Sequence, residues 1–262
     1  MDETGYIHGT HQEEQERLAA LNRLTNAPFV AFLDPAPADR MLEVGSGLGL
    51  LANEVAQSAP YGSVIGVEFA AEQIGRARTA RSNIRFARGD AHHLPFAADR
   101  FDLVYCRYLL EHVRDPVAAL REMRRVLKPG RKAFAQENNM RMVAFDPDCP
   151  KVDALLLKFY EMQRRLGGDA LIGKRLYALF HAAGFRDIEL SYQPEIHPAD
   201  SPTFKPWVDN FIGLIEGASA LLRTHGLATS DEIRSAMDEM RTLREREDAS
   251  FLFHWNRAAG TK

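Results

Sequence analysis

Cysteine is nearly missing from this 262-residue chain: Cys106 and Cys149 are the only two. No metal-ligand spacing is present, and both thiols are expected to stay reduced. There is no surplus of positive charge either. Lys and Arg total 33 against 36 Asp and Glu, a formal net charge of −3, which argues against a nucleic-acid partner. No apolar run approaches the roughly 18 residues that span a bilayer. The opening Met1-Asp2-Glu3-Thr4 is acidic and polar, unlike a secretory leader, so a cytoplasmic location is expected. Internal repeats and low-complexity tracts are absent too. What remains, at 45% hydrophobic and 26% charged, is the composition of an ordinary globular enzyme-sized chain.

The pattern along the chain changes twice. Residues 13–24 place Leu18, Leu21 and Leu24 on one helical face, and Asp34-Pro35-Ala36-Pro37 then breaks the chain. From there to about residue 137, short apolar runs alternate with helical segments. The runs are Met41–Val44, Val64–Val67, Ile84–Phe86, Leu103–Cys106 and Ala133–Ala135. Alternation of this kind predicts a largely parallel sheet. Asp115 caps a helix opening at Pro116, Val117, Leu120, Met123 and Leu127 share its face, and Lys128-Pro129-Gly130 is expected to stop it. Beyond residue 138, helices are expected near 152–166, 172–183 and 204–225. Thr229 and Glu232 have capping-box spacing for a further helix. Phe185–Tyr192 and Phe251–Trp255 read as two edge strands. Three parts follow: an N-terminal helical lid over 1–34, an α/β core over 35–137, and inserts over 138–262 that cap the acceptor and return the last two strands.

Chemistry concentrates at the ends of the first three strands. Gly45-Ser46-Gly47-Leu48-Gly49 follows the first, a turn that lets backbone approach a ligand. Glu68 ends the second, about twenty residues on, where an acid can accept both ribose hydroxyls of an adenosine. Asp90 follows the third within Gly89-Asp90-Ala91, where it can accept from an adenine amino group. One such acid is more often a solvated loop carboxylate; three signals at three successive strand ends are harder to dismiss.

These segments resemble the class I S-adenosylmethionine-dependent methyltransferases. The resemblance runs from about Arg40 to Ala135 through LEVGSGLG, Gly66-Val67-Glu68, GDAHHLPF at 89–96, FDLVYCRYLLEHVRDP at 101–116 and REMRRVLKPG at 121–130. It is similar to the small-molecule branch that includes ubiquinone, menaquinone and natural-product tailoring enzymes. Arg131 departs from it, standing where the family often has a second glycine. The resemblance implies a Rossmann-like, doubly wound α/β fold with a mostly parallel seven-stranded sheet. It implies S-adenosyl-L-methionine as cofactor, S-adenosyl-L-homocysteine as product and a small-molecule acceptor at O, N or C. The implied cofactor site comprises Tyr6, Glu43, Gly45, Ser46, Gly47, Gly49, Glu68, Phe69, Gln73, Gly89, Asp90, Ala91 and Arg107. No metal is implied, and a homodimer is compatible with this reading.

A sulfonium methyl is already electrophilic, so alignment and exclusion of water matter most, and a base is needed only for an acceptor that holds its proton. His112 and Tyr6 are the expected candidates, with His8 and His11 beside Tyr6 in the lid segment. A packing role for His112 is the simpler alternative. His92 and His93 adjoin the adenine acid and are expected to pack or bind. Phe145, Tyr160, Trp207 and Phe211 suit an aromatic acceptor pocket, or the packing of helices.

Competing classes fare less well. A dinucleotide-dependent oxidoreductase calls for G-x-G-x-x-G, whereas Gly45 and Gly47 are followed by Gly49 and Leu50. The amine-methylating Asn/Asp-Pro-Pro-Tyr motif of nucleic-acid enzymes is replaced by Cys106-Arg107-Tyr108, and Cys149-Pro150 reads as an ordinary loop pair. A non-catalytic binder of the same cofactor remains compatible with the residues.

Overall fold

The computed structural model describes residues 12–77, 79 and 81–262. They fall into two compact units. A sheet unit comprises residues 25–138, 172–193 and 256–262; a helical unit holds residues 139–171 and 194–255 with residues 12–24.

Helix α1 runs Gln12–Leu33, well past the expected end at residue 24 and through Pro28. Proline costs a helix one hydrogen bond. Burial of Phe29 and Leu33 against the sheet offsets that cost. Strand β1 (Arg40–Val44) leads into α2 (Leu50–Ser58), β2 (Ser63–Glu68), α3 (Ala71–Arg76), β3 (Ile84–Arg88) and β4 (Phe101–Arg107). Helix α4 (Pro116–Val126) is capped as expected, Asp115 Oδ1 accepting the Ala118 N–H at 2.9 Å. It ends one residue early, because β5 (Leu127–Glu137) begins at once. Lys128-Pro129-Gly130 therefore interrupts a strand instead of following a helix. Leu127 pairs with Phe101 and Lys132 with Leu103, and the residues between make the irregularity.

Strands β3, β2, β1, β4 and β5 lie side by side, each pair parallel. Both faces are covered, which is why these strands read as continuous apolar runs. Met41, Val64, Tyr105 and Phe134 point to the face packed by Phe29 of α1 and Leu51 and Val55 of α2. Leu42, Val67, Cys106 and Ala135 point to the other, packed by Leu120 and Met123 of α4. The expected helix over 172–183 is a 3-10 turn, Ile172–Arg175, followed by α6 (Leu176–Ala182), and Gly184 ends it at φ 87°. The doubly wound, mostly parallel architecture is thus present.

The remaining elements are β6 (Ala144–Asp146), α5 (Pro150–Arg165), β7 (Arg186–Pro198), α7 (Phe204–Thr224), α8 (Ser230–Arg244) and β8 (Ser250–Thr261). Strand β8 is antiparallel to β5 through residues 256–261 and to β6 through residues 250–252, and β7 also pairs with it. Three late strands stand where two were expected; the three-residue β6 makes an eighth strand. In the helical unit α5, α7 and α8 pack together. The capping box of α8 is formed, Thr229 N–H donating to Glu232 at 2.8 Å and Glu232 N–H to Thr229 at 3.2 Å.

Candidate cofactor site

In the sheet unit, the chain leaves β1 into a turn held by the neighbouring strand. The N–H groups of Gly45 and Ser46 both donate to the Val67 carbonyl, at 2.8 and 3.0 Å. Gly47 and Gly49 adopt φ of 51° and 74°, the left-handed region that favours glycine. Their surroundings differ. A Cβ on Gly49 would lie 2.2 Å from the Phe86 ring, so this glycine serves packing. A Cβ on Gly47 would meet only the Gln73 side-chain oxygen, at 2.9 Å, leaving that backbone accessible to a ligand. Gly45 lies beneath Leu109, and the Ser46 hydroxyl is buried without a hydrogen-bond partner.

Glu68, the last residue of β2, is fixed by backbone. Oε2 accepts the Gly47 N–H at 3.0 Å and Oε1 accepts the Ala70 N–H at 2.9 Å. Its carbonyl accepts the Gly89 N–H at 3.1 Å, tying in the end of β3. The ends of β1, β2 and β3 are thereby connected through Gly47, Glu68 and Gly89. Each Glu68 oxygen keeps a lone pair for a ribose hydroxyl. Phe69 is exposed beside Arg88, and Ala91 is buried.

Asp90 accepts from the His92 N–H at 2.9 Å and lies 2.7 Å from His92 Nδ1. Partial burial works against its charge, but these bonds and the His92 and His93 rings hold its carboxyl below the ordinary value. His92 Nε2 is buried without a partner. Glu43 is 4% exposed and accepts from the Tyr105 hydroxyl at 3.3 Å. Burial pushes its pKa up to about 8, with Arg107 opposing and Glu68 adding to the rise.

Arg107, the last residue of β4, bonds within the chain. It donates to Thr25 Oγ1 at 3.2 Å and Asn26 Oδ1 at 2.5 Å, and stacks over Phe29 and Tyr108. These partners make it a clasp between α1 and the end of β4. His112 follows β4, its Nε2 3.7 Å from Glu111 Oε1. Tyr6, His8 and His11 lie outside the described residues.

Sequence reasoning passed over Glu137, the last residue of β5, which is fully buried. Its only signal was an acid closing an apolar strand. The four aromatic residues expected to line a pocket are in the helical unit. Phe145, Trp207 and Phe211 surround Phe251 with centroids 5.3–5.6 Å apart, Trp207 only 1% exposed. Tyr160 donates to the Met140 carbonyl at 2.8 Å. Packing of the unit accounts for the first three. Among the described residues no group of His, Cys, Asp and Glu could hold a metal, and no helix is long and apolar enough to cross a membrane.

Residues 42–135 match a family described as a methyltransferase domain. An uncharacterized methyltransferase of Schizosaccharomyces pombe is 35% identical over 129 residues, covering 45% of this chain and 46% of that protein. The demethylmenaquinone methyltransferase of Lactococcus lactis is 32% identical over 167 residues, covering 57% and 66%. Over its first matches the chain spans about half the length of its curated relatives. A phosphoethanolamine N-methyltransferase of Haemonchus contortus, solved with phosphomonomethylethanolamine and S-adenosylhomocysteine, shares the fold. Its TM-score is 0.55 at 20% identity, covering 95% of this chain and 52% of that one. The chain is similar to class I methyltransferases of the small-molecule branch.

Proposed function

We propose that this chain, with its methyltransferase domain at residues 42–135, transfers a methyl group from S-adenosylmethionine to a small organic molecule at oxygen, nitrogen or carbon. Secondary-metabolite or quinone-type biosynthesis is the setting this reading favours. The observation that carries it is the join of Gly47 to Glu68, which presents an accessible glycine backbone and an ordered carboxylate side by side.

Within this reading the turn 45–49 lies along the methionyl part, Glu68 accepts from the ribose hydroxyls, and Asp90 accepts from the adenine amino group. Gln73, Phe69 and Ala91 adjoin them. The cofactor, when bound, supplies a methyl group already activated by its positive sulfur. The protein's work is then to hold, orient and dry the reacting atoms. Tyr6 is assigned to the lid and His112 to the acceptor side, on the resemblance alone.

The test is incubation of purified protein with S-adenosylmethionine and a pool of small metabolites, read by mass spectrometry. A gain of about 14 mass units, one methylene, in a pool member together with S-adenosylhomocysteine release supports the proposal. Cofactor binding without any methylated product from a broad pool points to a non-catalytic binder.

A further inference from the structure

After β3 the chain turns at Gly89-Asp90-Ala91 and runs through His92, His93, Leu94 and Pro95 to Phe96. Helix α4 clamps this segment. Glu122 Oε2 accepts the Leu94 N–H at 2.8 Å, and Arg125 donates to the Leu94 and Phe96 carbonyls at 3.0 and 2.8 Å. Arg125 also donates to both oxygens of Glu122, at 2.6 and 2.8 Å. At its start the segment folds back, the His93 N–H donating to the Asp90 carbonyl at 2.9 Å. Asp90 and His92 are therefore carried on a tethered backbone.

Their side chains meet in one particular way. Asp90 Oδ1 accepts the His92 backbone N–H at 2.9 Å and lies 2.7 Å from the ring Nδ1. Burial opposes the charge on Asp90, but the bonds from His92 outweigh it, and the carboxyl stays below its ordinary value. A charged carboxylate only accepts, so Nδ1 carries the hydrogen and donates it. Both donors thus end on the same oxygen. Among the described residues Oδ2 carries no hydrogen bond, and with the Asp90 side chain 44% exposed a ligand can reach it. The other ring nitrogen of His92, Nε2, is buried without a partner. The one polar task of that ring among the described residues is to hold Asp90.

We infer that His92 is a positioning residue for cofactor recognition, turning Asp90 so that Oδ2 meets the amino group of a 6-aminopurine and rejects a 6-oxopurine. This rests on the methyltransferase reading above. An adenine amino group donates to Oδ2. Hypoxanthine carries an oxygen at that position, and two acceptors facing each other repel. A site built to bond a donor discriminates sharply against an analogue that lacks it. That discrimination needs a carboxylate that stays in place. One free to rotate swings away from the oxygen and tolerates either base, whereas one held at Oδ1 by two donors does not. His92 acts through Asp90 and touches no reacting atom.

The experiment uses the full chain and two ligands that differ only in the base, S-adenosylhomocysteine and S-inosylhomocysteine. Both are titrated by calorimetry into wild type, His92→Ala and His92→Asn. The asparagine amide nitrogen stands where the imidazole Nδ1 does, so His92→Asn keeps the donor. Wild type is expected to bind the adenosyl ligand about tenfold tighter or more, the worth of one bond to a charged acceptor. His92→Ala is expected to lower that ratio about threefold or more, and His92→Asn to restore it. An unchanged ratio in His92→Ala, an equal weakening of both ligands, or no recovery in His92→Asn overturns the inference. If His92→Ala does not fold, His92→Leu takes its place, keeping bulk without the donor. Failure of wild type to bind S-adenosylhomocysteine overturns the methyltransferase reading, whereas binding without preference between the bases overturns only this inference.

Discussion

Glu68 Oε2 and the Gly47 N–H lie 3.0 Å apart, joining the last residue of β2 to the turn after β1. That bond orders the carboxylate before any ligand arrives, so little conformational freedom remains to be lost on binding.

Replacing Glu68 by alanine removes the acceptors of the Gly47 and Ala70 N–H groups and both of the proposed ribose contacts. Charge-assisted bonds of this kind contribute about 1.5–3 kcal/mol each. Glu68→Ala is expected to weaken S-adenosylmethionine binding at least tenfold, by calorimetry, while circular dichroism still reports a folded chain. Unchanged affinity removes Glu68 from the site.

The two glycines separate binding from stability. Gly47→Val places a branched side chain at φ 51° on the ligand side and is expected to abolish cofactor binding in a folded protein. Gly49→Ala drives a methyl into Phe86 and is expected to lower stability by about 1–3 kcal/mol in urea unfolding. Equal effects of the two on stability, with binding intact in Gly47→Val, contradict the assignment.

Arg107 tests the clasp. Losing its bonds to Thr25 and Asn26 is expected to cost about 1.5–3 kcal/mol of stability in Arg107→Ala. Cofactor affinity is expected to change less than it does in Glu68→Ala. A folded variant of full stability that fails to bind the cofactor returns Arg107 to the ligand.

Glu43 gives a pH dependence. Its folded pKa, about 8, lies above the ordinary 4.5, so the folded state binds the proton more tightly. This contribution is complete below pH 4.5, falls as pH rises toward 8 and is then gone. The slope for one proton is about 1.4 kcal/mol per pH unit. Stability of wild type minus that of Glu43→Gln, measured by urea unfolding between these limits, is expected to decline. A flat difference means Glu43 is ionised in the fold.

The sheet was legible because a doubly covered parallel strand is an unbroken apolar run, as at Met41–Val44 and Leu103–Cys106, and because glycines and acids closed those runs. Helix ends with chemical caps, Asp115 and Thr229, were legible for the same local reason. What escaped notice depended on partners far along the chain. Residues 256–261 carry no strand pattern of their own, yet pair with β5, and Gly260 lies under Phe180. The last turns of α1 were hidden by Pro28, since only burial of Phe29 explains them. The bonds of Arg107 to Thr25 and Asn26 were not legible either, because those residues lie far from it along the chain. Glu137 was passed over because its burial and its bonds to Leu109 and Leu110 depend on a turn far back along the chain.

The most direct measurement is a crystal structure of the chain with S-adenosylhomocysteine. The account predicts the ribose hydroxyls at roughly 3 Å from the Glu68 carboxylate, the adenine amino group beside Asp90 and the methionyl chain along Gly47. A ligand bound elsewhere, or seated there with Glu68 still turned away from the ribose, contradicts it.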